Sequence, residues 1–410
     1  LQKLKTLVYC LLIGAGLVLF VACDNESVNQ ENEINIGALL SLTGNWSSLG
    51  ITSQVILEYG IGEINDYFRD SGDATRLRLI VEDTQLDPEI AYTRLRYLVE
   101  NKKCRIVLGP QSSAEIARIK EYADANSVML VSQGSTAGSL SIADDNIFRF
   151  CPNDIPEGQA ISDLMWANGI RTVIPVWRAD VGNIGLHEAM LNSFTTLGGV
   201  VMEGIEYSVD AVDFAPVSDS IHTLVNVRLI DDQPAEIGIY LAGFDEIVHL
   251  FNVAKNDSLI AALKWYGSNG TALSAVLCAD TGAVRFASRV GFPTPIFGLN
   301  PDDHEEWEPI VNGIENQTGI KPDAYTLAIY DALWVAALTY QEADEEDFAQ
   351  IKSTYTDIAQ YYIGLTGLTT LNSAGDRAIA NFDFWAICNG VWQLVGYFQP
   401  NSTIIWNGCP

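Results

Sequence analysis

Serine, threonine and glycine crowd two short loops, and these are the residues with the best claim to chemistry. Pro110-Gln111-Ser112-Ser113-Ala114 and Gln133-Gly134-Ser135-Thr136-Ala137-Gly138 each follow a β-rich run. Hydroxyls beside the free N–H groups of a helix N-terminus make a ready site for a carboxylate or another anion. Ser112 has a second reading as a helix cap, because Glu115 three residues on completes a capping box. Ser113 has no such duty, and Thr136 either closes a turn or meets a ligand. Gly134-Ser135-Thr136-Ala137-Gly138 also has the outline of GxSxG with threonine in the nucleophile's place. A hydrolase would need a base beside it, and the four histidines, His187, His222, His249 and His304, are scattered without a recognisable context. His187-Glu188 lacks the second histidine of HExxH, and no Cys/His cluster or GxxxxGK[ST] loop occurs, so neither a metal nor a cofactor is expected. The chemistry on offer is binding rather than catalysis.

These loops need a scaffold that presents strand ends. Strands are expected at 34–40, 77–82, 105–109, 128–132, 171–177, 200–207, 237–241 and 294–298, and helical patterns fall between them. Leu57, Ile61, Ile64 and Phe68 recur on one helical face. Pro88 opens a helix that runs to about Asn101, where a first-turn proline is tolerated. Further helices are expected over 157–168, 184–197 and 245–255, with a long one after Pro322. Alternating strands and helices with apolar strands predict an α/β fold of parallel sheets covered on both faces, with ligands at the carboxyl ends of strands.

The chain has 410 residues, too many for one ordinary core, so two lobes are expected. Acidic residues outnumber basic ones 52 to 23, a net charge of −29 that repels nucleic acid and anionic lipid. At the N-terminus, Lys3 and Lys5 precede an apolar run from Leu7 to Ala22, and Cys23 follows it. That is the layout of a signal peptide over residues 1–22. Cys23 after Val21-Ala22 resembles a lipobox, which would make Cys23 the lipidated N-terminus of a polar stalk over 23–33. The expected location is the outer face of the cell membrane, held by that lipid alone. Five cysteines remain beyond Cys23: Cys104, Cys151, Cys278, Cys388 and Cys409. Five is odd, so at least one stays unpaired within the chain; Cys388 and Cys409, flanking two C-terminal strand patterns, are the best candidate pair.

Several motifs in one order carry a family resemblance. They are Ile36-Gly37-Ala38 through Leu42-Thr43-Gly44, Val81-Glu82-Asp83-Thr84-Gln85 with Asp87-Pro88, and Leu108-Gly109-Pro110 with Ser112-Ser113. Phe148-Arg149 with Pro152, Asp154 and Gly158, and Ala328-Ile329-Tyr330-Asp331-Ala332, complete the series. The chain resembles the type I periplasmic binding proteins, in particular the branched-chain amino-acid and amide receptors of ABC transporters. The resemblance implies two Rossmann-like lobes with parallel sheets, joined by a three-crossing hinge that closes on a ligand. It places 34–150 with 294–380 in lobe 1 and 151–293 with 381–410 in lobe 2.

By the same resemblance, Ser113 and Thr136 hold a ligand carboxylate, with Ser112 and Ser135 beside them. The Gly134 carbonyl and the Thr136 hydroxyl receive the ammonium, and Leu49 lines the side-chain pocket. In lobe 2, Val181 and Leu241 stand at or near places that are often aromatic, and Asn269 stands where many amino-acid binders carry an acid. An amide cannot neutralise a buried cation, so either the ligand is an amide, a carboxylate or a larger molecule, or another acid such as Asp180 compensates. The implied function is capture of a small amino-acid-like, amide or carboxylate ligand for ABC permease subunits. A sensory receptor acting through a separate membrane partner is the alternative.

Overall fold

The computed structural model describes residues 32–299, 303–378, 381–399 and 403–409. The expected signal peptide and Cys23 lie outside the described residues. The end of the expected stalk, Asn32-Glu33, opens the first strand instead.

Five strands build the first sheet: β1 (Asn32–Leu40), β2 (Thr75–Asp83), β3 (Ile106–Leu108), β4 (Met129–Ser132) and β5 (Ile147–Arg149). Their order is β2-β1-β3-β4-β5 and every pairing is parallel. Three helices make the crossovers: α1 (Ser47–Ser71), α2 (Pro88–Glu100) and α3 (Ser113–Ala125). Local chemistry starts them where the sequence says. Asp87 Oδ1 accepts from Glu89 N and Ile90 N at 2.8 and 3.0 Å, with Pro88 in the first turn. The Ser112–Glu115 capping box opens α3.

Helix α4 (Asp154–Ala167) leads into a second parallel sheet. Its strands are β6 (Thr172–Arg178), β7 (Val200–Val201), β8 (Ile205–Tyr207), β9 (Ile237–Ala242) and β10 (Lys264–Gly267). The path runs β10-β9-β6-β7, and β8 also pairs with β6. Helices α5 (Val181–Thr196), α6 (Ala215–Arg228), α7 (Ile247–Ala254), α8 (Ala275–Ala279) and α9 (Thr281–Val290) cover this sheet. The run expected as one strand over 200–207 is broken in two at Gly204. Gly204 takes φ +77°, and a Cβ there would lie 2.5 Å from the Pro175 carbonyl oxygen, so only glycine lets the chain turn against β6.

The rest of the chain is β11 (Thr294–Gly298), α10 (His304–Thr318), α11 (Ala324–Glu342), α12 (Phe348–Ala359) and a short ribbon of β12 (Ile363–Gly364) and β13 (Gly367–Leu368). After it come β14 (Asn381–Cys388), β15 (Val391–Gln399) and β16 (Thr403–Trp406). Here the structure departs from an all-parallel expectation. The order β11-β14-β15-β16 forms a third sheet that is antiparallel throughout. Asn389-Gly390, with φ of 55° and 86°, makes the tight β14–β15 turn that such a pair favours. Cys388 and Cys409 are joined by a disulfide, while Cys104, Cys151 and Cys278 are free. Strand β11 pairs with β14, and its Ile296 and Phe297 pack into the core around α11.

Helix α11 is buried on nearly every side, which an all-round apolar sequence requires. It packs on α1 and α12 beneath the first sheet and anchors that lobe's core. Two further clusters flank the second sheet.

Candidate functional site

Both hydroxyl-rich loops meet at the carboxyl ends of β3 and β4, braced from below. Gln111 is fully buried; its Oε1 accepts from Ser41 N at 2.7 Å and its Nε2 donates to the Trp46 carbonyl at 3.2 Å. Ser132 Oγ donates to the Pro110 carbonyl at 2.6 Å and accepts from Ser135 N at 3.0 Å, locking the two loops together. The Ser112 hydroxyl is committed to Glu115, so capping accounts for it. Ser113 Oγ lies 3.0 Å from Ser135 Oγ and accepts from Ala137 N at 3.1 Å. Leu49 is buried in the first turn of α1. Gly134 faces the Trp46 ring, where a Cβ would stand 3.0 Å from the indole edge.

A buried arginine fixes the second loop. Arg149, 1% exposed, donates from Nη1 to the Ser135 and Ala137 carbonyls at 3.2 and 2.7 Å. Its Nε and Nη2 grip both oxygens of Asp376, also 1% exposed, at 2.5 and 2.7 Å, and Nη2 reaches Ser141 Oγ at 2.6 Å. All five guanidinium N–H groups are used. The carbonyls on either side of Thr136 are therefore held, and the Asp154 N–H takes that of Thr136 itself at 2.9 Å.

From the second lobe, α5 approaches with its N-terminus. Asp180 caps it, accepting from Gly182 N and Asn183 N at 3.0 Å each, and pairs with Arg178 at 3.1 Å. Its carboxylate is thus spent on its own helix and a neighbouring cation, which leaves little of it to compensate a ligand's charge. Arg178 also reaches Glu246 at 3.4 Å, and Glu246 accepts from the Tyr207 hydroxyl at 2.8 Å. Val181 is half-buried beside Gly182, whose α-carbon faces Ser113 of the other lobe. Leu241 is not at the cleft: it is fully buried in β9, within the core of the second lobe. Phe244, three residues on, is the aromatic that reaches across.

Trp46 is where the lobes join. Its ring centroid lies 5.1 Å from that of Phe244 and 6.1 Å from that of Tyr325. Its backbone N–H donates to Asp245 Oδ2 at 2.7 Å, and Ser48 Oγ accepts from Ala275 N at 3.1 Å. Asp245 also accepts from the Ser274 hydroxyl. A cavity of about 230 Å³ opens between the lobes, lined by Asn45, Leu86, Ser112, Arg178, Asp180 and Phe244 among others.

Buried acids dominate the interface. Burial drives Asp154 up to about 7, although the nearby Thr136 hydroxyl, Arg149 and the Gly138 N–H favour its ionised form. Burial also raises Asp245 to about 6, against its bonds to Ser274 and Trp46. Glu157 is raised well above the ordinary range by burial first and by Asp154 second. Asn269, buried in the loop after β10, donates to Glu157 from its backbone N–H at 2.9 Å and from Nδ2 at 2.7 Å. Glu157, Asp154, Trp46, Phe244, Asp245 and Tyr325 were all missed as site residues. Asp154 stood inside a quoted motif, and Trp46 lies two residues past Gly44, where another ended; the others carried no local signal.

The profile described as periplasmic binding protein matches residues 33–387. The chain belongs to the periplasmic binding protein family. Among curated relatives, an uncharacterized protein of Methanocaldococcus jannaschii is 28% identical over 395 residues, spanning 92% of each chain. Among solved structures, the leucine-binding protein LivK of Thermotoga maritima superposes with a TM-score of 0.70 at 20% identity, over 90% of this chain and 100% of that one. A solute-binding protein of R. palustris in complex with benzoate gives 0.71 at 17% identity, over 92% and 98%. At those identities the superpositions speak for the fold: two α/β lobes with parallel sheets, as in type I members of the family.

Proposed function

We propose that this protein is an extracytoplasmic solute-binding lipoprotein of an ABC importer. It captures a small polar metabolite, an amino acid or a related compound, between its lobes and passes it to permease subunits without changing it. The supporting observation is the convergence of Ser113 and Thr136 from lobe 1 with the α5 N-terminus, Asp245 and Asn269 from lobe 2 across one Trp46-centred junction. Structural neighbours described as leucine-binding or in complex with benzoate fit the same range of small ligands. Lipidation at Cys23 would keep the protein outside the cell membrane. We place the lobe crossings near Phe150, Pro293 and Asn381, which groups 34–150 with 294–380 and 151–293 with 381–410.

A thermal-shift screen of the detergent-solubilised full chain against amino acids, amides, small carboxylates and nucleosides tests this reading. A ligand at about 100 times its dissociation constant stabilises by about 2.7 kcal/mol. Thr136→Ala is expected to weaken that ligand by about 1–3 kcal/mol, because its hydroxyl would meet a charged group. Titration calorimetry giving wild-type affinity for this variant would remove Thr136 from the site.

A further inference from the structure

Strand β14 carries an acid where its pattern calls for an apolar residue. Successive side chains of a strand point to opposite faces, and Phe382, Phe384 and Ala386 are buried in one of the clusters that flank the second sheet. Asp383 and Trp385 point the other way. Ile296 and Tyr397 stand opposite Asp383 in the ladder, and Leu394 stands opposite Trp385. Asp383 is therefore set in an apolar face, where a carboxylate is costly to desolvate. Gly298 makes room for it, since a Cβ there would lie 2.7 Å from Asp383 Oδ1.

This face is not packed flat against lobe 1. Between it, α10 and the start of α11 lies a cavity of about 400 Å³, in the range of small-molecule sites. Four aromatic side chains line it: Trp307 from α10 and Phe297, Trp385 and Tyr397 from the sheet. Among the described residues, its charged lining is Glu308, Asp323 and Asp383 against Lys321. Asp323 is spent on capping α11, accepting from Thr326 N at 2.9 Å, and Glu308 is exposed. Lys321 pairs with Glu315 at 3.7 Å, and its Nζ stands 5.7 Å from the centre of the Trp385 ring, a face that already receives a cation. Asp383 remains as the interior acid. The Leu299 N–H favours its ionised form while burial pushes it up to about 7, and no ion pair among the described residues reaches it.

The cavity is separate from the inter-lobe cleft. Two ring contacts stand between its wall and the lobe junction, Phe297 to Tyr325 and Tyr325 to Trp46, each with centroids 6.1 Å apart. It lies instead beside the crossings placed near Pro293 and Asn381, on the paired strands β11 and β14. Aromatic walls with an excess of acid attract a cation and repel an anion. We propose that this cavity is a second binding site, for a small monoamine whose ammonium meets Asp383 and whose apolar body lies against Trp307, Trp385 and Phe297.

The test is calorimetry on the full chain with phenethylamine, its neutral and anionic counterparts 2-phenylethanol and 3-phenylpropanoate, and hexylamine as an alkyl probe. Phenethylamine or hexylamine should bind with a dissociation constant below about 1 mM, and the alcohol and the acid at least about 10-fold more weakly. Asp383→Asn keeps an acceptor for the Leu299 N–H and should weaken the amine by about 10–100-fold. Leu394→Arg, at a lining position that is 50% exposed, adds a positive charge to the wall without burying it and should also weaken the amine. Thr136→Ala, which is expected to weaken the cleft ligand, should leave amine affinity where it was. Equal affinity for the alcohol or the acid overturns the proposal, as does wild-type amine affinity in Asp383→Asn. Loss of amine binding in Thr136→Ala would put the amine in the cleft and overturn it too. Binding of neither amine overturns it outright, and the wild-type series decides by itself should a variant not fold.

Discussion

Arg149→Met is expected to destabilise the protein by about 3–5 kcal/mol, the range for breaking a buried pair and leaving one charge behind. Asp376 would be stranded at 1% exposure, and the Ser135 and Ala137 carbonyls would lose their donors. The loss should appear as a lower urea midpoint with an unchanged slope. A companion variant separates stranding from the worth of the pair. Arg149→Met with Asp376→Leu removes both charges and should recover most of the stability, since a buried ion pair and an apolar replacement are often near parity. Arg69→Met, which removes a pair whose side chains are 59% and 65% exposed, should leave the midpoint where it was. If Arg149→Met matched Arg69→Met, the idea that this arginine braces the loop would fail. The double variant should still bind ligand poorly, because no apolar side chain can hold the two carbonyls that frame Thr136.

That arginine shows what a sequence can reveal and what it cannot. Phe148-Arg149 was legible as part of a motif, yet nothing local announced that its side chain would bind Asp376, 227 positions away. Elements governed by their own residues were read well. The Ser112–Glu115 capping box, the Pro88 helix start and most of the parallel strands follow from neighbours in the chain, although β5 and β10 were not expected. Elements fixed by distant packing were not: α6, α9, α10 and α12 were unassigned, and β11 took its partner from the C-terminal segment. The site divides the same way. Ser113, Gly134 and Thr136 lie in one short stretch whose composition betrays it. Leu241 was chosen three residues short of Phe244, because a strand's end is set by its pairing rather than by its composition. Asn269 was noticed for the charge it lacks, while the acid that faces it, Glu157, sits 112 positions earlier and only the fold brings the two together.

Raising the pH from 6.5 to 8 should lower the melting temperature by about 2–3 °C. Several buried carboxyls are pushed upward chiefly by desolvation: Asp154 and Asp383 to about 7, and Asp245, Asp323 and Asp331 to about 6, from 3.8. In each the folded value exceeds the unfolded one, so the folded state holds more protons between the two. The stability this gives is complete below about 3.8 and is lost as pH rises through 6 to 7. For Asp154 or Asp383 alone the ceiling is about 4 kcal/mol, from a shift of 3.8 to about 7. Groups depressed by hydrogen bonds, such as Asp73 and Asp83, act only at lower pH, because above pH 5 they are ionised in both states. His187 opposes the trend: burial lowers its value, so its contribution grows as pH rises and levels off about one unit above 6.5. The carboxyls outnumber it over the interval from 6.5 to 8, and the net charge of −29 pushes in the same direction as they ionise. Asp383→Asn, outside the Trp46-centred site, should flatten that part of the curve without changing ligand affinity at that site. A melting temperature that climbs with pH over this interval would mean these carboxyls are not desolvated as described.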